Sequence, residues 1–119
     1  RRRNNVKIYK KLLNNEKVKI AQPFEGNNNS YVMFILLCEN RDRLQNFLKK
    51  KGIQSLIYYG KPLHLHPASK RLDLNKAKLP NAERLCKKVL ALPVHQYLKT
   101  KEIKYICKEV NNFYKNDEN

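Results

Sequence analysis

Residues 52–98 read GIQSLIYYGKPLHLHPASKRLDLNKAKLPNAERLCKKVLALPVHQYL, and this stretch decides the fold. Two corners built around His and Pro, KPLHLHPA (61–68) and LALPVHQYL (90–98), flank the helix-like NAERLCKKVLA (81–91). Proline forbids helix continuation and biases the residue before it toward extended backbone, so each corner is a fixed turn. Pro80 sits where a helix tolerates it, just ahead of residues 81–90, with Leu85, Cys86 and Val89 expected inward. Leu92-Pro93 is expected to end that helix. Before the first corner, residues 53–59 read as a strand that closes on Tyr58 and Tyr59, and Gly60 turns the chain. A short helix is expected over residues 67–72.

Working outward, residues 2–13 carry Val6, Tyr9, Leu12 and Leu13 at helical spacing. Residues 17–22 alternate and predict a short strand; Pro23 and Glu25-Gly26-Asn27-Asn28-Asn29 predict a loop. Residues 31–38 (YVMFILLC) predict a buried strand. Asn40 reads as an N-cap, Leu44, Phe47 and Leu48 as a helical face, and Gly52 as the C-terminal stop. Thr100 reads as the cap of the last helix, whose stripe is Ile103, Ile106, Cys107, Val110, Phe113 and Tyr114. The tail 115–119 is expected to fray. The order predicts an α+β domain: a short, mostly antiparallel sheet of three or four strands packed by about four helices.

The 119 residues are enough for one domain, and a 41% hydrophobic content is enough for a core. No apolar run approaches the ~20 residues needed to span a bilayer. No signal peptide is visible, and because the chain opens on Arg1 rather than Met, the natural amino terminus is expected to lie upstream. Three separated cysteines without a CxxC pair give no disulfide framework and suit the reducing cytoplasm. The net charge of +16 attracts polyanions, so a small basic nucleic-acid-binding module is one alternative reading. The lysines are spread along the chain, which equally fits a solvated surface, and no RNA-binding motif accompanies them.

Candidate chemistry is sparse. His64 and His66 would share one side of an extended segment, but zinc needs three or four protein ligands and no third stands nearby. A hydrogen-bonding role that ties the turn is the preferred reading for both and for His95. The ten carboxylates lie mostly at helix starts or on polar faces, so no acid/base pair emerges. The three glycines are isolated, so there is no phosphate-binding glycine loop. Tyr58 and Tyr59 could stack on a sugar or a base. Strand alternation offers the other reading, one ring inward and one outward, which is preferred for Tyr59 and evenly balanced for Tyr58.

The order of motifs resembles the carboxyl-terminal small domain of the DegT/DnrJ/StrS family of pyridoxal-phosphate (PLP)-dependent sugar aminotransferases. That family shows "YVI", an "RDxLxxxLxxxGI" helix, a loop similar to "IHYPxPLHLQPA", then "LPxAE" and "LSLPxHPxL". The counterparts here are Tyr31-Val32-Met33, Arg41-Asp42-Arg43-Leu44 through Gly52-Ile53, residues 57–68, Leu79-Pro80-Asn81-Ala82-Glu83 and residues 90–98. Residues 2–13 resemble the helix that leaves the large domain.

The resemblance implies that residues 1–119 form one small domain, with the large cofactor-binding domain absent from the chain. It implies an enzyme that moves an amino group, usually from glutamate, onto a nucleotide-linked keto-sugar. PLP would form a Schiff base with a lysine of the large domain, so no catalytic residue is assigned here. The chain alone would be inactive, the full-length enzyme a homodimer in the cytoplasm, and nucleic acid and membrane no partners of it. Tyr58, Tyr59 and His64 are the expected substrate-binding residues. The family often carries His at the position of Tyr58, Pro at that of Gly60, and His or Tyr near Asn29. Tyrosine donates a hydrogen bond but does not titrate near neutral pH as histidine does. A third reading is a regulatory or adaptor fragment that pairs with a full-length partner through apolar surface at Tyr9, Leu12, Leu13 and the Tyr58 loop.

Overall fold

A computed structural model describes residues 1–116; Asp117, Glu118 and Asn119, and with them the end of the expected fraying tail, lie outside the described residues. The elements are α1 (Arg2–Leu12), β1 (Val18–Ile20), β2 (Phe34–Cys38), α2 (Arg41–Lys50), α3 (Pro80–Lys88), β3 (Val89–Leu92) and α4 (Thr100–Asn116). Three turns of 3₁₀ helix, Leu63–Leu65, Pro67–Leu72 and Leu74–Lys76, connect α2 to α3.

The sheet is antiparallel in the order β1-β2-β3, with Val18 opposite Cys38 and Phe34 opposite Leu92. The period of two puts Phe34, Leu36 and Cys38 on the covered face. The helices α1, α2 and α4 join that face in one buried cluster, and Tyr9 stacks on Phe34 with ring centroids 4.6 Å apart. Every residue of the predicted α4 stripe is buried, from Ile103 to Tyr114. Burial pushes the Cys38 and Cys107 thiols up to about 12, so both are neutral small hydrophobes at neutral pH.

Helix ends follow local chemistry. Gly52, at φ 72, lets the Ile53 and Gly52 amides fold back on the Leu48 and Lys49 carbonyls at 2.9 and 3.0 Å. Asn40 begins α2 in a left-handed conformation, φ 49, and its carbonyl accepts from the Leu44 amide at 3.0 Å. The start of α4 lies one residue earlier than expected: the Lys99 carbonyl takes the first helical bond, and Glu102 reaches back to the Lys99 amide at 2.6 Å.

The sheet departs from the sequence reading in more than one place, and the strand expected over residues 31–38 begins only at Phe34, after Tyr31 at φ 50. Residues 53–59 are not a strand; only Leu56 pairs, in a single bridge to Ala91 with hydrogen bonds of 3.0 and 2.8 Å. Tyr59 takes φ 56, a turn conformation that ends extended backbone there. The third strand comes instead from Val89–Leu92, where a helix end had been expected. Leu90, Ala91 and Leu92 are buried in succession, a pattern no single helix face can give. Correspondingly, α3 buries nothing: Leu85 is exposed and Cys86 and Val89 only half-buried, because the helix lies at the periphery.

Candidate functional site

Two corners define the site. In the first, the turn at Tyr59 leaves both tyrosines exposed, Tyr58 by 37% and Tyr59 by 75%, so neither packs inward as strand alternation would have required of one of them. Gly60 is needed for space: a Cβ there would lie 2.9 Å from the Ile57 Cγ2 methyl. Beyond it the chain passes over a buried imidazole. His64 Nε2 lies 3.1 Å from Glu83 Oε1, and the same carboxylate oxygen accepts the Leu79 amide at 3.4 Å. One carboxylate thus fixes the Leu63–Leu65 turn to the start of α3. With Glu83 ionised, His64 Nε2 carries the hydrogen and donates it. The ring of His66 turns elsewhere and donates from Nε2 to the Lys61 carbonyl at 3.2 Å. The two rings therefore do not converge, and among the described residues no three of His, Cys, Asp and Glu gather as a metal would require.

The second corner is held from α1. Tyr9 Oη donates to the Pro93 carbonyl at 2.9 Å and Asn5 Nδ2 to the His95 carbonyl at 3.0 Å. The tie at His95 therefore runs through its backbone rather than through the ring expected from sequence. Both α1 side chains are buried, so the bonds are shielded from water.

Between the corners runs a groove of ≈ 320 Å³. Tyr58, Leu56, Val32 and Met33 give it an aromatic wall and an apolar floor; Arg2 and His95 add polar heads. Ser55 also lines it, while its Oγ is buried without a hydrogen-bond partner among the described residues. Of the predicted residues, Tyr58 reaches this groove; Tyr59 and His64 do not line it. Arg2, Met33 and His95 were not singled out as binding residues, because nothing in their spacing joins them.

Removal of the His64 ring should loosen the arm without melting the body. We expect His64→Ala to cost about 1–3 kcal/mol, the range for losing a buried hydrogen-bonded group. Trypsin should cleave faster at Lys70, Arg71 or Lys76 while the thermal transition of the helices stays cooperative. Unchanged cleavage would show that the Glu83 tie is not what holds the arm.

The described residues do not fit a PLP lysine site. No lysine is buried, only Lys17 and Lys88 are half-buried, Lys88 is paired with Glu39, and none lines the groove beside Tyr58. Among the described residues no helix is long and apolar enough to cross a membrane.

Residues 1–111 match the DegT/DnrJ/EryC1/StrS aminotransferase family, and the chain belongs to that family. It is 32% identical over 117 residues to a pleiotropic regulatory protein of Geobacillus stearothermophilus, covering 96% of this chain and 32% of that protein. It is 37% identical over 99 residues to a UDP-2-acetamido-2-deoxy-3-oxo-D-glucuronate aminotransferase of Pseudomonas aeruginosa, covering 82% and 27%. A crystal structure of a DegT DnrJ EryC1 StrS aminotransferase from Brucella abortus superposes with TM-score 0.81 at 33% identity, over 94% of this chain and 30% of that one. The chain thus spans about a third of the length of the relatives it matches. Family members are PLP-dependent aminotransferases, and structures with this fold include a PLP form.

Proposed function

We propose that residues 1–119 are the carboxyl-terminal small domain of a PLP-dependent aminotransferase acting on nucleotide-linked keto-sugars, and that the chain is inactive alone. The observation that carries this reading is the Tyr58 arm: it and the Pro93 corner border one groove, on a chain that matches a third of such enzymes and offers no cofactor lysine. In this reading Tyr58, Tyr59 and His64 serve the sugar nucleotide. Tyr58 and Tyr59 present their rings and hydroxyls from the exposed turn, and His64 holds that turn in place through Glu83. PLP, held by the remaining two thirds of the enzyme, supplies the electron sink for amino transfer. This chain binds and orients the substrate and covers one side of the cleft. The full enzyme works as a homodimer in the cytoplasm.

The chain mixed with PLP, glutamate and a UDP-linked keto-sugar should yield no amino-sugar by mass spectrometry. The longer polypeptide encoded by the reading frame that runs into Arg1 should turn the same substrate over. Turnover by the chain alone, or a reading frame without a lysine-bearing large domain, would overturn the proposal.

A further inference from the structure

Helix α1, RRNNVKIYKKL, contains no carboxylate. It buries Val6 and Tyr9 and half-buries Ile8 and Leu12, and its exposed positions carry Arg3, Lys7, Lys10 and Lys11. At about 100° per residue, Lys7 and Lys11 stand opposite the buried stripe. Arg3 and Lys10 lean toward the loop after β1, where they donate to the Asn29 carbonyl at 3.2 Å and the Gln22 amide oxygen at 2.8 Å. Both acceptors are neutral, so neither cation is neutralised there.

Helix α4 has two flanks. Toward α2 it sets Tyr105, Glu109 and Phe113: the Tyr105 hydroxyl donates to the Lys51 carbonyl at 3.1 Å, Glu109 pairs with Lys51 at 3.4 Å, and Phe113 meets the Phe47 ring. Toward α1 it sets the row Lys104, Lys108, Asn111 and Lys115, fixed by the 2.9 Å bond from Asn111 Nδ2 to the Leu12 carbonyl. Both carboxylates of α4 are engaged away from that row, Glu109 with Lys51 and Glu102 on the Lys99 amide. Cations scattered in the sequence are thereby gathered: four of α1 and three of α4 share one exposed two-helix face. None of these seven has an ion-pair partner among the described residues.

Like charges this close repel one another, and the face gains most from a partner that supplies many counter-charges at once. A protein interface would need apolar side chains at its centre. Of the exposed large apolar side chains none lies on α1, and on α4 only Tyr105 does, on the α2 flank. The same lack removes what a helix lying on a membrane inserts among lipids. A regular polyanion fits what remains. Lys7 and Lys11, like Lys104 and Lys108, are four residues apart, about 6 Å along the helix, on the scale of the one phosphate per ~3.4 Å that each strand of a duplex presents. Packed helices lie about 8–10 Å apart, so the two rows run abreast and can meet phosphates across a width as well as along a line.

We propose that the outer face of α1 and α4 binds double-stranded nucleic acid through its phosphates, without reading its sequence. This activity is independent of amino transfer, and it departs from the expectation, carried by the family resemblance, that nucleic acid is no partner.

Fluorescence anisotropy of a labelled DNA duplex of about 20 base pairs, titrated with the full chain between about 50 and 200 mM salt, measures it. Binding should weaken steeply as salt rises and be alike for two duplexes of unrelated sequence. The quadruple variant Lys7→Gln, Lys11→Gln, Lys104→Gln, Lys108→Gln should bind about tenfold or more weakly, with the logarithmic salt slope shallower by about one unit for each phosphate contact removed. The same four positions changed to Arg keep the charge and should stay within about threefold of wild type. A control that removes as many exposed cations elsewhere, Lys49→Gln, Lys50→Gln, Lys70→Gln, Lys87→Gln, should also stay within about threefold. Equal losses in the two Gln variants reduce the effect to net charge and overturn the face. A loss in the Arg variant as large as in its Gln counterpart overturns the phosphate contacts. Binding to vesicles containing about one-third phosphatidylserine, with none to the duplex, assigns the face to a membrane surface and overturns the nucleic-acid partner. Failure to bind either overturns the proposal outright, and none of these outcomes bears on the keto-sugar amination assay.

Discussion

Tyr9→Ala should leave the chain largely unfolded at 37 °C. Tyr9 is fully buried, its ring stacks on Phe34 and its hydroxyl holds the Pro93 carbonyl. Removing a buried aromatic ring costs about 3–5 kcal/mol, against a total stability of about 5–15 kcal/mol for a domain. The carbonyl left without its donor adds to that. Tyr9→Phe separates the two contributions: it keeps the ring and should cost about 1–3 kcal/mol, read from urea midpoints. The same residue sets an alkaline limit. Burial pushes the phenol well above its ordinary value, so only the neutral form fits the fold. Its stabilising contribution is complete below pH 10, the ordinary phenol value, and is lost as pH rises beyond it. Tyr9→Phe should therefore flatten the fall in stability above pH 10, with the remaining slope coming from Cys38 and Cys107, whose folded values are also raised. An unchanged slope would refute the assignment.

Arg41→Ala should be the next most damaging change, although the residue opens a surface helix. Its guanidinium is buried and donates from Nη1 to the Val89 carbonyl at 2.9 Å and the Cys86 carbonyl at 3.2 Å. It thereby closes the end of α3 and the start of β3, the junction where the chain changes from helix to strand. Losing two charge-assisted bonds at a buried site should cost about 2–4 kcal/mol. The partner carboxylate, Asp42, is 77% exposed, so Asp42→Asn should lie within about 1 kcal/mol of wild type. Arg41→Lys should fall between, since an ammonium cannot reach both carbonyls with the geometry of the fork. Thermal melts rank the three; an Asp42→Asn effect as large as that of Arg41→Ala would mean that the ion pair, and not the carbonyl ties, is what matters.

These two residues also show what the sequence could and could not express. The α4 stripe was legible because it obeys one period over its whole length, and β2 because Phe34 to Cys38 lie in an unbroken apolar run. Gly52 was legible because a left-handed stop has few other residues that fit it. Strand β3 was hidden by Leu85, Cys86 and Val89, which continue a helical spacing across the true boundary at Lys88. The Tyr59 turn was hidden because a turn signal stood at Gly60 while the unusual backbone angle falls on the aromatic residue before it. The motif order located the Tyr58 arm and both corners. The groove was not legible, since it is made by Arg2, Met33, Leu56, Tyr58 and His95, which are neighbours only after the sheet and α1 are in place. Likewise, that Asn5 and Tyr9 hold the second corner joins residues at sequence separations of 90 and 84, which come together only once the intervening chain is folded.

The close approach at Gly60 has a consequence for how this chain can drift. A methyl of Ile57 occupies the volume into which a side chain at residue 60 would grow. Ile is stiff at its branch point and cannot swing that methyl away cheaply. Residues 57 and 60 are therefore coupled in this chain: a side chain at residue 60 requires the Ile57 methyl or the turn itself to shift, so Gly60→Ala should cost less in an Ile57→Ala background than alone.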